Sequence, residues 1–165
     1  MNQPLKDPPL LCQNQAIPTE AHFALDGALG ELGRLAAETA GFCREHSLAS
    51  VVEFDVNLVL EELFVNAVRH GGCEGIPDAV VIRLQLNDHG LRVEFSDRGR
   101  AFDPTAASAP SADIAAPLAA RRPGGLGIHL VRQIMGDLEY HREGEWNRLI
   151  MRRPIRQGES KAETL

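Results

Sequence analysis

Three groups of residues have types and spacings that can do chemistry. Glu62 and Asn66 stand four apart in a stretch of helical periodicity, so they are neighbours on one helix face. An acid and an amide so placed can offer oxygen to Mg²⁺, which takes oxygen ligands and keeps several waters. At 100° per residue they sit beside the apolar stripe, with Arg69 on the same edge. That edge can face a cleft, or it can be a solvated helix margin. The second group is Asp97-Arg98-Gly99-Arg100-Ala101-Phe102-Asp103, at the end of a strand pattern. An aspartate there can accept a hydrogen bond from an exocyclic amine at a pocket floor, and Gly99 lets the backbone approach a flat ligand. The plain alternative is a D-x-G turn leaving a strand. The third group, Gly124-Gly125-Leu126-Gly127, opens a short helical pattern. Glycines ahead of a helix expose N–H groups at its positive end, which binds phosphate, and Arg121 and Arg122 upstream can add charge-assisted bonds. The same glycines can equally form a hinge. There is no G-x-x-x-x-G-K-[ST], and no G-x-G-x-x-G after a strand, so neither a P-loop nor a dinucleotide-binding domain is indicated.

These groups need elements to position them. Residues 1–18, with Pro4, Pro8, Pro9 and Pro18, read as a flexible leader. Residues 19–26 predict a first strand. Residues 28–46 predict a helix whose apolar stripe is Leu29, Leu32, Ala36, Ala40 and Cys43. The next helix starts at a capping box, Ser50 and Glu53, carries the stripe Val56, Val59, Leu60, Leu63 and Ala67, and stops at Gly71-Gly72. Val80–Leu86 and Leu91–Phe95 alternate in polarity around the turn residues Asn87–Gly90, which predicts a hairpin. Residues 103–123 are rich in Ala, Ser and Pro, and so long an irregular stretch predicts a functional lid or a disordered segment. A helix over 126–136 and a hairpin of Leu138–Arg142 with Trp146–Arg152 follow. Residues 154–165 read as a frayed polar tail. Hairpins with separate helices give an α+β sandwich, one mixed sheet covered on one face.

The 165 residues fit one domain, here 19–153, long enough to bury about 70% of the unfolded chain's surface without staples. Apolar residues at 44% and charged residues at 24% exclude wholesale disorder. A net charge of −6 argues against direct nucleic-acid binding. No apolar run is long enough to span a membrane, and no signal peptide is legible. Three widely spaced cysteines, Cys12, Cys43 and Cys73, suggest neither disulfides nor zinc, which points to the cytoplasm. His22, His46, His89 and His141 form no metal set. His70 reads as a helix-end residue, and Trp146 as packing of the last hairpin.

Taken together, the order and spacing of the three groups resemble the GHKL ATPase superfamily. Glu62-Leu63-Phe64-Val65-Asn66-Ala67-Val68-Arg69-His70-Gly71 is similar to the N-box of the bacterial anti-sigma factor serine/threonine kinases. Asp97 to Pro104 resembles their first glycine box and Gly124 to Val131 their second, so the resemblance spans about residues 20–153. It implies a two-layer α/β sandwich of the GHKL (Bergerat) type, with a mixed, mostly antiparallel sheet, helices on one face and an ATP lid. It implies Glu62 as general base and Asn66 as the Mg²⁺ ligand. Arg69, Asp97, Gly99, Phe102, Gly124, Gly125, Leu126 and Gly127 would bind nucleotide, Asp97 taking the adenine amino group and Gly125 and Gly127 the phosphates.

The function implied is an ATP-dependent protein serine kinase that is also an anti-sigma factor. It would sequester a sigma factor and phosphorylate a small anti-anti-sigma partner of the STAS type, acting as a homodimer. Two other classes compete. A nucleotide-gated, non-catalytic binding protein would have no need of an acid at position 62. The detached ATP-binding domain of a histidine kinase would need a phosphoacceptor hairpin, for which the roughly 50 residues before the N-box leave no room beside the first strand and helix, so a separate hairpin protein would have to supply it in trans.

Overall fold

The computed structural model describes residues 19–106 and 125–160; the leader 1–18 and most of the expected lid lie outside them. β1 (Glu20–Leu25) leads through a 3₁₀ turn at Leu29–Glu31 into α1 (Leu32–Glu45). α2 (Ser50–Asn66) runs into a five-residue π turn, Ala67–Gly71. β2 (Val80–Asn87), β3 (Gly90–Asp97), α3 (Gly125–Met135), β4 (Leu138–Glu143) and β5 (Trp146–Arg153) follow. The strands make one sheet in the order β1-β2-β3-β5-β4. All four pairings are antiparallel, so the sheet expected to be mixed is antiparallel throughout its described strands. The two hairpins join through β3 and β5, which run in opposite directions, and β1 closes the far edge against β2.

Strand alternation sorts the two faces. Val80, Ile82 and Leu84 of β2 and Leu91, Val93 and Phe95 of β3 point towards the helices and are buried. α2 lays Val56, Val59, Leu60 and Leu63 on them as its periodicity predicts, with Val52 and Phe64 alongside and Ala67 continuing the stripe into the π turn. Each such side chain contributes roughly 1.5–3 kcal/mol on burial. α3 adds Ile128, Val131 and Met135.

α1 buries a stripe that shares Cys43 with the expected one, and Leu32 packs at its edge, but it is otherwise shifted. Leu35, Thr39, Phe42 and Cys43 are buried, whereas Leu29 is among the exposed large apolar residues and Ala36 and Ala40 are half-buried. Thr39 disguised the stripe: it enters the core by donating its hydroxyl to the Leu35 carbonyl at 2.9 Å.

The opposite face of the sheet is charged. Arg83 pairs with Glu20 at 3.1 Å and Arg152 with Glu139 at 2.8 Å. Glu94 is held by Arg148 at 2.7 Å and Arg92 at 3.0 Å. Burial alone would raise the Glu94 carboxyl, but the bonds from Arg148 and then Arg92 carry it below its ordinary value.

Two expectations about helix and chain ends are corrected. α2 has no capping box: Ala49 is the N-cap, without a side-chain bond, and Ser50 is already helical. The start of α2 is tied down by the chain's own end instead. Ala49 N–H donates to the Glu159 carbonyl at 2.7 Å, and Leu48 bridges Ser160. Arg153, 6% exposed, binds both Asp55 of α2 and Glu159. The segment from Pro154 to Ser160 is therefore docked rather than frayed, and residues 161–165 lie outside the described ones.

Candidate functional site

The C-terminal turns of α2 carry the first group. Glu62 and Asn66 are both half-buried, and Asn66 Nδ2 donates to Glu62 Oε1 at 2.8 Å. That bond fixes the amide so that Oδ1 is its remaining acceptor. No donor from another described residue reaches Glu62 Oε2. Opposite stands Gly127, near the start of α3. A Cβ there would overlap the Glu62 carboxylate and lie 2.5 Å from its Cγ. Gly127 is thus a glycine because the N-box acid rests on its backbone. Arg69 is exposed on the π turn.

The π turn connects the first group to the second. Gly71 ends the π turn, so its carbonyl has no partner within the helix, and Arg100 N–H donates to it at 2.8 Å. Gly72, in the left-handed conformation (φ 88°), then ends the segment as the glycine pair predicts. Gly99 sits so close to this turn that a Cβ would lie 3.0 Å from the Gly71 carbonyl oxygen and 2.6 Å from Asp97 Oδ1. Its smallness lets the protein's own backbone close up, in addition to any ligand.

Asp97, at the end of β3, is the centre of a part-buried network. Its Oδ1 accepts from Gly99 N–H at 2.7 Å and from Asn147 Nδ2 at 2.9 Å, with the Cys73 thiol 3.9 Å away. Among the described residues no donor reaches Oδ2, which remains as an acceptor. Burial, followed by the charge of Asp97, pushes the Cys73 thiol up to about 11. Beyond the turn, Asp103 Oδ1 accepts from Thr105 N–H and Oγ1, and those bonds hold its carboxyl below the usual range. Arg132 of α3 donates to the carbonyls of Pro104 and Thr105 at 3.0 and 2.7 Å, pinning this stretch to α3. Phe102 is 60% exposed.

Of the residues singled out from sequence, Glu62, Asn66 and Gly127 come together at one end and Asp97 and Gly99 at the other. Gly125 and Leu126 lie in the first turn of α3. Gly124 and lid residues 107–123 lie outside the described residues. No three or more His, Cys, Asp or Glu side chains among the described residues cluster as a metal set. The sequence reading missed Asn147, Arg142 and Tyr140. One signal could have found Asn147: it shares parity with Leu149 and Met151, so it is an amide at a core-facing strand position that must find partners. Trp146 lies on the other face, with the Arg98 guanidinium 4.7 Å over its ring.

Comparison with known proteins agrees with this geometry. Residues 25–153 match the histidine kinase-like ATPase domain family. The serine/threonine-protein kinase BtrW of Bordetella bronchiseptica is 33% identical over 100 residues, 61% of this chain and 69% of that protein. The crystal structure of the RsbU and RsbW domains of a Mycobacterium tuberculosis protein superposes with a TM-score of 0.59 at 15% identity. That match covers 82% of this chain, which spans about a third (32%) of the larger structure, and it speaks to the fold alone. No helix among the described residues is long and apolar enough to cross a membrane. The chain belongs to the histidine kinase-like ATPase domain family, as an ATP-binding, kinase-like protein of the GHKL class.

Proposed function

We propose that the chain is a cytoplasmic, homodimeric protein serine kinase and anti-sigma factor that phosphorylates a small STAS-type anti-anti-sigma partner and so controls a sigma factor. One observation carries the catalytic part. The Glu62–Asn66 pair rests against the glycine-opened start of α3, while Asp97 keeps a spare carboxylate oxygen at the other end of the same α2–β3 junction. The similarity to BtrW, a serine/threonine-protein kinase, supports the choice of a hydroxyl acceptor.

In this reading Asp97 Oδ2 accepts the adenine amine, and the backbone N–H groups at the start of α3 hold the phosphates. Glu62 takes the proton of the partner's serine hydroxyl as its oxygen bonds to the γ-phosphorus and the bond to the ADP oxygen breaks. The proton then passes from Glu62 to water. The protein's part is positioning and charge stabilisation, the usual division of labour in phosphoryl transfer.

The donor set at the N-box fits Mg²⁺. Asn66 spends its N–H₂ on Glu62 and keeps a carbonyl oxygen, the hard ligand that ion takes alongside waters and phosphates. Asn66 would hold it, and when bound it would neutralise phosphate charge.

The test is transfer of labelled phosphate from ATP to a serine of the small protein retained from the native host. Glu62→Gln keeps size and removes the base, so ATP should still bind while transfer falls by roughly 10²–10⁴-fold. Transfer by Glu62→Gln at the wild-type rate would remove Glu62 from the role of base. A wild-type chain that binds ATP and its partner but transfers nothing would make it a nucleotide-gated binder.

A further inference from the structure

We propose that Asn147 is the positioning residue for nucleobase recognition: it holds the Asp97 carboxylate so that one oxygen is spent on the protein and the other is kept for the ligand's exocyclic amine. The inference rests on the reading of Asp97 given above and adds a residue that neither the motifs nor the family match assigns.

Asn147 stands on β5 directly across from Asp97 on β3, in the same register pair. Its residue is 6% exposed, so both ends of the amide must be satisfied inside the protein. They are. Oδ1 accepts from Tyr140 Oη at 2.8 Å and from Arg142 Nη1 at 2.9 Å. Nδ2 donates to Asp97 Oδ1 and to the Arg100 carbonyl, both at 2.9 Å, with the Gly99 carbonyl at 3.4 Å. The amide's orientation is forced. A guanidinium has only donors, so Oδ1 must face Arg142, and the carbonyls are only acceptors, so Nδ2 must face the turn.

Two consequences follow. First, the two N–H bonds of Nδ2 are consumed by three protein acceptors, which leaves none for a base. Asn147 therefore acts through Asp97 and is not itself a ligand contact. Second, the same amide holds the carboxylate and the backbone that follows it. Arg142 Nη1 also donates to the Gly99 carbonyl at 2.9 Å, so β4, β5 and the D-x-G turn lock as one unit. Without Asn147, Asp97 would keep only the Gly99 N–H as a strong donor on Oδ1 and could rotate about its side-chain torsions, which lowers the fraction with Oδ2 correctly aimed.

The test compares Mg²⁺-ATP with the Mg²⁺ complex of purine riboside triphosphate, which lacks the 6-amino group. Affinities are measured on the full chain as wild type, Asp97→Asn, Asn147→Ala and the double variant. Wild type should prefer ATP, and Asp97→Asn should lose most of that preference. Asn147→Ala should weaken ATP by roughly 5- to 50-fold while changing the analogue by less than about twofold, and the double variant should match Asp97→Asn rather than add to it. Asn147→Asp, of the same size, replaces the donor facing Asp97 with a carboxylate oxygen and should also lose the preference. A purely structural role predicts equal loss for both nucleotides and an additive double variant; either result overturns the proposal, as does failure of both Asn147 variants to fold. If wild type binds neither nucleotide, the reading of the site itself has failed. If wild type and Asp97→Asn behave as stated but the Asn147 variants keep the preference, only the positioning role falls.

Discussion

Gly127→Ala sets stability and activity against each other in one substitution. The added Cβ would lie 2.5 Å from Glu62 Cγ and overlap the carboxylate beyond it, whereas ordinary contact begins near 3.4 Å. The Glu62 side chain must therefore retreat by roughly 1 Å or change rotamer. Either movement breaks its 2.8 Å bond with Asn66 and carries the acid away from the start of α3. With Glu62 as the base proposed above, displacing it by about 1 Å should cost on the order of 10²-fold in rate. The fold should not suffer in proportion, because Glu62 is half-buried and what must give is one flexible side chain rather than backbone. Alanine in a helix is moreover favoured over glycine by up to about 1 kcal/mol. Expected, then, are a melting temperature equal to or slightly above wild type and phosphotransfer lowered roughly 100-fold. The assay pairs thermal melting with transfer of labelled phosphate to the cognate serine. Wild-type transfer at unchanged melting temperature would show that the Glu62–Gly127 contact does not position the acid. A large drop in melting temperature would show that the contact belongs to the fold.

Asp97→Asn should weaken adenine nucleotide binding by about 10- to 150-fold, the equivalent of roughly 1.5–3 kcal/mol for a bond to a charged acceptor; a fluorescence titration of Trp146, the chain's single tryptophan, measures it, and unchanged affinity would refute the role. Glu94→Gln should destabilise the fold by about 1.5–3 kcal/mol at pH 7. Because the folded Glu94 carboxyl lies below its ordinary value, this stabilisation is complete above the unfolded value and is lost as pH falls through the folded one, so denaturant midpoints of wild type and variant should converge in acid. Cys73, with its thiol pushed up to about 11, should resist iodoacetamide at pH 8 until urea unfolds the chain, as peptide mapping would show; rapid alkylation of native protein would contradict its burial beside Asp97.

Residues with a single job were easiest to read from sequence. The stripe on α2 serves only the core, so its period is clean, and the alternation of β2 and β3 likewise gave the hairpin. Thr39 and Glu94 were hidden because each buries a polar group by satisfying it locally, which composition does not reveal. The capping box failed because the helix begins one residue earlier than the Ser50–Glu53 spacing implies: Ala49 is the N-cap, its carbonyl accepts from Val52 and Glu53 N–H, and its own N–H is held by Glu159. That contact joins residues far apart in sequence, as do Arg153 with Asp55 and Asn147 with Asp97. The motifs picked out acids and glycines that the fold brings near one another, but not the hydrogen-bond network around Asp97, since its members come from β4 and β5.

The two ends of the site are held by different physics and should fail separately. At the Asp97 end, part-buried hydrogen bonds from Asn147 of the neighbouring strand β5 and from Gly99 of the turn after β3 fix a carboxylate, so damage there should appear in nucleotide affinity. At the Glu62 end, an acid lies between two helices against a bare glycine backbone, with one hydrogen bond holding it. Damage there should appear in the rate of the chemical step, with affinity largely kept. The only described backbone bond joining the π turn to the D-x-G turn runs from Arg100 N–H to the Gly71 carbonyl. In the function proposed above, it helps set how far Glu62 stands from the Asp97 carboxylate, and hence which length of ligand reaches both. Shifting that turn by one residue should raise KM and lower kcat together. Asp97→Asn should move chiefly KM, and Glu62→Gln chiefly kcat. If the two single substitutions instead shift the same constant, the ends are one coupled device, and the division drawn from their separate supports is wrong.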